Sequence, residues 1–218
     1  MARSNRAPRA TYRTETRQGS AICSLQFVAP LLMIVGFFGP WIAHKTAALT
    51  VTGYELSEFA KFFPQIQGGA VPVRRGLFVM PLLTSTVSLA LVVNRSRAAL
   101  PWRLAATGLL TVVATSVVPP FQAISAPPYR LQLALVVAGV VLTVASLLTP
   151  RLSERTRGAL LAALALAGSG PALWQSVLLH PLASDLYGMT IRPGWGMLTC
   201  MAGAAMLLFA AIRRAIQH

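Results

Sequence analysis

Residues 131–148 read LQLALVVAGVVLTVASLL, eighteen consecutive residues without a single charge. As an α-helix, a run of this length extends about 27 Å, since each residue adds about 1.5 Å. The hydrocarbon core of a bilayer is about 30 Å thick, so the run has both the length and the composition of a membrane-spanning helix. The stretch therefore predicts a protein that folds in a lipid bilayer.

Five further apolar runs extend this prediction to most of the chain. The six predicted spans are residues 21–43, 76–93, 104–118, 131–148, 159–179 and 195–212, and none contains Asp, Glu, Lys or Arg. Only 11% of the 218 residues are charged, about half the share in a typical soluble domain. We expect an all-α integral membrane protein, a bundle of about six transmembrane helices.

Positive charge is unevenly distributed between these runs. A net charge of +14 would indicate nucleic-acid binding in a soluble protein, but here the arginines lie between membrane spans, and we expect no nucleic-acid partner. With the N-terminus inside, the inner segments hold 13 arginines and the outer loops hold six basic residues. An excess of basic residues in short cytoplasmic segments sets orientation, so we expect a multi-pass protein of the cell (inner) membrane with both termini cytoplasmic.

Two basic segments need separate interpretation. Residues 1–20 contain five arginines and little apolar surface, which predicts a disordered cytoplasmic tail. Arg74 and Arg75 depart from the charge bias because they lie on the predicted outer side. We expect their long side chains to reach the outer lipid headgroups.

The long outer loop, residues 44–75, carries a helical signal. Thr52 and Glu55 have the spacing of a capping box, in which each side chain accepts a hydrogen bond from the other residue's backbone N–H. Three apolar side chains follow at helical spacing: Leu56, Phe59 and Phe63. We expect a short amphipathic helix over residues 53–63, whose apolar face lies on the bilayer, caps the bundle or docks a partner.

Two histidines are the candidate ligand-binding residues. His44 and His180 fall at predicted outer helix ends, on the same side as Glu55, Glu58 and Asp185. Imidazole and carboxylate groups bind divalent metals, and two imidazoles can hold a haem. Neither histidine has the close ligand spacing of a defined metal site, and interfacial histidines commonly bond water, backbone or headgroups. We therefore expect no metal and no cofactor.

The fifth run contains a possible helix break at Gly168, Ser169, Gly170 and Pro171. Broken membrane helices expose backbone groups that can coordinate ions or substrates. Neighbouring helices also accommodate Gly-Pro kinks without any such role. The run is otherwise rich in alanine, and the sixth run places Gly196, Cys200 and Ala204 on one face. Small residues allow close approach, so we expect both helices at the centre of the bundle.

Three functional classes follow. No Gly-x-Ser-x-Gly motif surrounds the intramembrane serines, and no His or Asp lies at membrane depth to complete a triad. Because intramembrane ionisable groups usually mark transport and catalysis, we expect a non-enzymatic membrane subunit or scaffold that associates with other membrane proteins or with itself. The alternatives are a transporter or channel for a small neutral or lipid-like solute, and an interfacial membrane enzyme.

Overall fold

The structure is a computed structural model that describes residues 9–44, 49–95, 99–120, 122, 124, 126–149 and 152–217. It is 80% helical, which is consistent with the expected all-α class. The elements, in chain order, are α1 (Arg9–Phe38), β1 (Pro40–His44), β2 (Leu49–Thr52), α2 (Glu55–Phe59), α3 (Pro64–Gln67), α4 (Met80–Arg95), α5 (Leu100–Thr115), α6 (Arg130–Ala145), α7 (Glu154–Tyr187) and α8 (Trp195–Gln217). Short 3₁₀ turns precede α4 at Arg75–Val79 and flank α6 at Pro127–Tyr129 and Ser146–Leu148.

Within the described residues, four helical stretches are long and apolar enough to cross a membrane. They are Arg75–Arg95, Pro127–Leu148, Glu154–Tyr187 and Trp195–Arg214. Two shorter apolar helices, Ser24–Phe38 and Leu100–Thr115, accompany them. The second of these extends about 24 Å, which is less than the hydrocarbon thickness. All six predicted runs are thus mostly helical, and four of them reach the length of a span.

Both ends of α1 differ from the sequence prediction. The helix begins at Arg9, so residues 9–20 of the predicted disordered tail have a helical backbone. These residues contain no proline and only one glycine, and nothing interrupts the helix that continues from the apolar run. At the other end α1 stops at Phe38, although the span was predicted to reach residue 43. The chain after it, Pro40–His44, forms β1.

A β-hairpin that the sequence did not predict covers this end of the bundle. β1 and β2 pair in antiparallel fashion, with Pro40 opposite Thr52. Trp41 is fully buried, and its Nε1 donates a hydrogen bond to the carbonyl oxygen of Gly36 at 3.0 Å. Ile42 forms a bridge to Pro193. The hairpin therefore connects the end of α1 to the loop before α8.

The centre of the bundle is α4, and the expectation that α7 and α8 occupy it is wrong. α4 contacts α1, α5, α6 and α7, and its hydroxyl side chains are buried: Thr84, Ser85, Thr86 and Ser88. Three of them donate to backbone carbonyls one turn earlier. In lipid, hydroxyl side chains turn towards protein, where they find hydrogen-bond partners. The hydroxyls of α4, rather than the alanines of α7, therefore mark the interior.

Small residues set the closest helix contacts. A Cβ atom at Gly36 of α1 would collide with the backbone of α8 at Gly196 and Cys200, and one at Gly203 of α8 would collide with α1. The small face predicted for α8 thus packs against α1. A Cβ at Gly168 of α7 would in turn collide with the side chain of Thr84. These positions require glycine because the neighbouring helix occupies the space.

Candidate functional site

Two polar regions lie at opposite ends of the bundle. The arginine end is where α4 ends and α7 begins, and the hairpin end is where β1 and β2 lie. At the arginine end, Glu154 Oε1 lies 3.0 Å from Arg95 Nε and 3.2 Å from Arg157 Nη1, while Oε2 lies 2.7 Å from Arg214 Nε. We call these four residues the Glu154 cluster. Three guanidinium groups face one carboxylate, so positive charge is in excess.

The Glu154 cluster joins three helices, and a hydrogen bond from Arg214 extends it to a fourth. Arg95 belongs to α4, Glu154 and Arg157 to α7, and Arg214 to α8. Arg214 also donates to Gln26 Oε1 of α1. The Arg157 side chain is only 2% exposed, and its Nη2 donates to the carbonyl oxygen of Thr149 at 3.1 Å. Its Nε has no hydrogen-bond partner among the residues that the structure describes, so Glu154 is the main compensation for this buried charge.

A second network continues the connection to the remaining long helices. Asn94 donates through Nδ2 to Thr107 Oγ1 of α5 at 3.1 Å and to Ser146 Oγ, in the turn after α6, at 2.7 Å. Its Oδ1 accepts from Arg103 Nε at 3.3 Å. The two networks together reach α1, α4, α5, α6, α7 and α8. Both networks have a structural role, because their hydrogen bonds and ion pairs hold the helices together at this end of the bundle.

At the hairpin end, a cavity of about 590 Å³ opens between α3, the turn before α4 and the start of α6. Its polar lining consists of Lys61, Gln67, Arg74 and Arg75, and its apolar lining includes Ala60, Ile66, Val73 and Leu131. We call it the basic pocket. The pocket has the volume of a small-molecule site, and it contains the two arginines that depart from the charge bias of the sequence.

One wall of the basic pocket is an ion pair that is partly exposed. Lys61 donates to Glu58 Oε2 and to the hydroxyl of Tyr129. Burial alone would lower the pKa of Lys61, but the hydrogen bonds and charge interactions with Glu58 and Tyr129 outweigh it and raise that pKa. The guanidinium of Arg75 lies 5.7 Å from the centre of the Tyr129 ring, within the range of a cation–π contact.

The predicted helix over residues 53–63 is present in two parts. Glu55 Oε2 accepts from Thr52 N at 2.8 Å, and Thr52 Oγ1 accepts from Glu55 N at 3.4 Å, which confirms the capping box. α2 then ends at Phe59 and continues as a 3₁₀ turn to Phe62. Of the three predicted docking residues, Leu56 and Phe63 are buried in the core and Phe59 packs against it. Their face therefore caps the bundle.

The structure does not bring the two histidines together as a described site. His44 ends β1, and its side chain lies outside the described residues. His180 Nδ1 lies 2.9 Å from the carbonyl oxygen of Ser176, and its buried Nε2 has no hydrogen-bond partner in the described part. A cavity of about 350 Å³ beside His180 is lined mainly by apolar residues. Within the described ranges, no group of three or more His, Cys, Asp or Glu residues could hold a metal.

The helix break expected at Gly168, Ser169, Gly170 and Pro171 is absent. α7 is helical from Glu154 to Tyr187, with Pro171 inside it. Ser169 Oγ donates to the carbonyl oxygen of Ala165. The glycine at 168 is explained by the close approach of α4, where Thr84 occupies the space of a side chain.

Sequence reasoning missed the Glu154 cluster and the basic pocket as sites. One signal in the sequence could have revealed the cluster. Apart from Glu15, Glu154 is the only acidic residue on the predicted inner side, where 13 arginines lie. Comparison with protein-family models, curated proteins and solved structures finds no match. The functional argument therefore rests on the geometry of the chain itself.

Proposed function

We propose that this protein is a non-enzymatic, multi-pass subunit of the cell membrane that associates through α7 with another membrane protein or a second copy of itself. Six spans with both termini cytoplasmic are part of the proposal. Successive long helices run in opposite directions, since the ends of α4, α6 and α8 meet the starts of α5 and α7 at the arginine end. The arginine excess in the predicted inner segments supports placing the arginine end in the cytoplasm.

The observation that carries the proposal is a second row of small residues on α7. Its inward row, Ala165, Gly168 and Ala172, is buried against the bundle. An outward row of small residues is exposed: Ala159, Ala163, Ala167 and Gly170. A Cβ placed at Gly170 would meet no atom within 4 Å. Small residues at the surface of a membrane helix allow a partner backbone to approach closely, and lipid contact alone does not require them.

The experiment compares two surface substitutions of the same type. The protein is expressed at native level, extracted in mild detergent and separated by native electrophoresis, and its partners are identified by mass spectrometry. Ala163→Leu is expected to reduce the fraction found in a discrete complex. The matched control is Ala205→Leu, an exposed alanine of α8, which should leave the complex intact. A wild-type protein that migrates only as a monomer, or equal losses in both variants, would refute the proposal.

The transporter alternative loses its main support because α7 is continuous where the sequence suggested a break. The enzyme alternative depended on His44 and His180 together with outer acids. Of those acids, Glu55 caps α2 and Glu58 pairs with Lys61. These two carboxylates thus have structural partners, and subunit association is the function we propose.

A further inference from the structure

The basic pocket combines two kinds of lining that a phospholipid requires. One side presents the cationic groups of Lys61, Arg74 and Arg75, and the other side is apolar, with Ile66, Val73 and Leu131. A soluble anion would gain nothing from contact with the apolar side. A neutral apolar ligand would leave the cationic groups without a counter-charge. An amphiphile with a phosphate next to a hydrocarbon chain matches both sides.

Two of the three cationic groups of the basic pocket, those of Arg74 and Arg75, have no ion-pair partner among the described residues. The carboxylate of Glu58 already forms an ion pair with Lys61. Among the residues that the structure describes, no carboxylate lies within 4 Å of the guanidinium groups of Arg74 or Arg75. Arginine binds phosphate oxygens with two parallel hydrogen bonds. Two uncompensated arginines at one cavity therefore favour a phosphate-bearing ligand.

The position of the pocket matches the headgroup layer of a bilayer. Arg75 begins one span-length stretch, and Leu131 lies near the beginning of another. The two stretches lie side by side at this point, and α6 is the more exposed of the two, so a headgroup in the pocket would leave its acyl chains beside α6. Arg74 and Arg75 also lie where outer headgroups are expected if the hairpin end faces outwards.

The floor of the pocket is preorganised. The backbone N–H of Arg74 donates to Gln175 Oε1 of α7 at 2.7 Å. Gly76 lies so close to α6 that a Cβ there would be 3.0 Å from Gln132 N. These contacts hold the backbone that carries both arginines, and a preorganised site loses less free energy when it orders a ligand.

We propose that the basic pocket binds the phosphodiester of an anionic phospholipid, with Arg74 and Arg75 as phosphate ligands and Lys61 at the rim. The shared chemistry is a phosphate group, which a lipid headgroup or a soluble phosphate could supply. The mixed lining favours the lipid. This site is separate from the outward row of α7, and it does not depend on the association proposed for that row.

The test is native mass spectrometry of the full chain released from nanodiscs that contain equal amounts of phosphatidylglycerol and phosphatidylcholine. The wild-type protein is expected to retain phosphatidylglycerol preferentially. Arg74→Gln and Arg75→Gln should each reduce that retention by about tenfold, the size of a lost charge-assisted hydrogen bond. Arg74→Gln is the safer variant for folding, because the contact with Gln175 uses its backbone N–H and its own side chain is exposed.

The matched control is Arg130→Gln. Arg130 is exposed at the start of α6, close in sequence to the pocket residue Leu131, but it does not line the pocket. Its substitution removes the same charge from the same end of the molecule and should leave retention unchanged. Equal losses in all three variants would mean general attraction to anionic lipid and would overturn the site. Equal retention of both lipids by the wild-type protein would overturn it as well.

A further arm distinguishes the two sources of phosphate. Inorganic phosphate or glycerol phosphate is added in excess to the nanodiscs before release. Unchanged lipid retention supports the phospholipid, because the apolar lining then contributes to binding. Displacement of the lipid by either soluble anion would show that the pocket recognises phosphate alone and would overturn the lipid assignment.

Discussion

The two ends of the bundle are held together by polar contacts that differ in how deeply they are buried. At the arginine end, one carboxylate holds three guanidinium groups, and polar contacts join all six long helices. At the hairpin end, separate pieces cover the bundle: the hairpin, α2 and α3 are short, and Glu58 pairs with Lys61 and accepts a hydrogen bond from Tyr129. Both ends are linked between distant parts of the chain, but the arginine end is linked through a buried guanidinium group, whereas the ion pair of the hairpin end is partly exposed.

The contribution of an ion pair to the stability of this protein depends on how deeply the pair is buried. Arg157 is 2% exposed, while Lys61 and Glu58 are 34% and 43% exposed. Removing one partner of a buried pair leaves a charge without compensation, whereas an exposed pair is replaced by water. The arginine end should therefore respond to substitution as one unit, and the hairpin end should respond piece by piece.

The largest effect is expected for Glu154→Gln. The substitution removes the carboxylate from Arg95, Arg157 and Arg214 together and leaves Arg157 buried without a counter-charge. We expect the free energy of unfolding to fall by about 3 kcal/mol or more, the usual loss when a buried ion pair is broken. The measurement is unfolding by SDS in mixed micelles.

Glu58→Gln is the matched control for this comparison, since it makes the same chemical change at the hairpin end. It should lower the free energy of unfolding by less than about 1 kcal/mol, because the pair with Lys61 is partly exposed. If the two variants are destabilised equally, burial does not distinguish the two ends and the comparison is wrong.

The second effect concerns the cap of the hairpin end. Leu56 is 1% exposed within the core, and Leu56→Ala should destabilise the cap by about 2–4 kcal/mol through lost apolar contact and a cavity. Because the cap consists of short elements outside the long helices, hydrogen exchange should accelerate over residues 55–67 and remain slow in α4. Phe62→Ala is the control, since Phe62 is 73% exposed. Accelerated exchange in α4 to the same extent would contradict a separately held cap.

The sequence predicted the six apolar helices and the capping box because both depend on local pattern. Apolar runs without charge identify membrane helices, and Thr52 and Glu55 lie three residues apart. The position of each helix in the bundle was not predictable in the same way. Leu, Val and Ala are equally compatible with lipid and with protein, so hydropathy does not separate an interior membrane helix from a peripheral one. Buried hydroxyls such as Ser85 and Ser88 were the informative residues.

The two polar sites were missed for a different reason. The Glu154 cluster joins residues as far apart as Arg95 and Arg214, and no local spacing brings them together. The basic pocket likewise joins Lys61 to Arg75 and to Leu131 across three elements. Gly168 illustrates the opposite error. A local pattern suggested a helix break, but glycine is needed at this position because Thr84 of α4 occupies the space of a side chain.

A third, smaller effect is expected at the start of α2. Thr52→Ala removes the hydroxyl that accepts from Glu55 N, and losing a helix cap costs about 1 kcal/mol. Proteolysis between residues 53 and 63 should become faster, with no change in global unfolding. Thr52→Ser, which keeps the hydroxyl, is the control and should behave like the wild-type protein. Identical proteolysis of the Ala and Ser variants would show that the capping box does not hold the cap.

The smallest effect is the pH dependence of the Lys61 pair. In the folded protein the pKa of Lys61 is raised above its ordinary value of 10.5. The ion pair therefore contributes fully at pH values below that ordinary value, and its contribution is lost as the pH rises through the raised pKa. Since the pair is partly exposed, the loss should be less than about 1 kcal/mol.

The loss is measured by proteolysis of residues 55–67 in wild-type protein and in Lys61→Gln, followed between pH 7 and pH 11. The difference between the two proteins should stay constant at neutral and mildly alkaline pH and shrink only at the alkaline limit. Glu58, Tyr129 and Arg75 face Lys61, so Tyr129→Phe is included to measure the share of the effect that depends on the hydroxyl that accepts from Lys61. A difference that disappears near pH 8 would mean that a group other than Lys61 determines how fast residues 55–67 are cleaved. The Lys61–Glu58 pair would then not be what holds this segment.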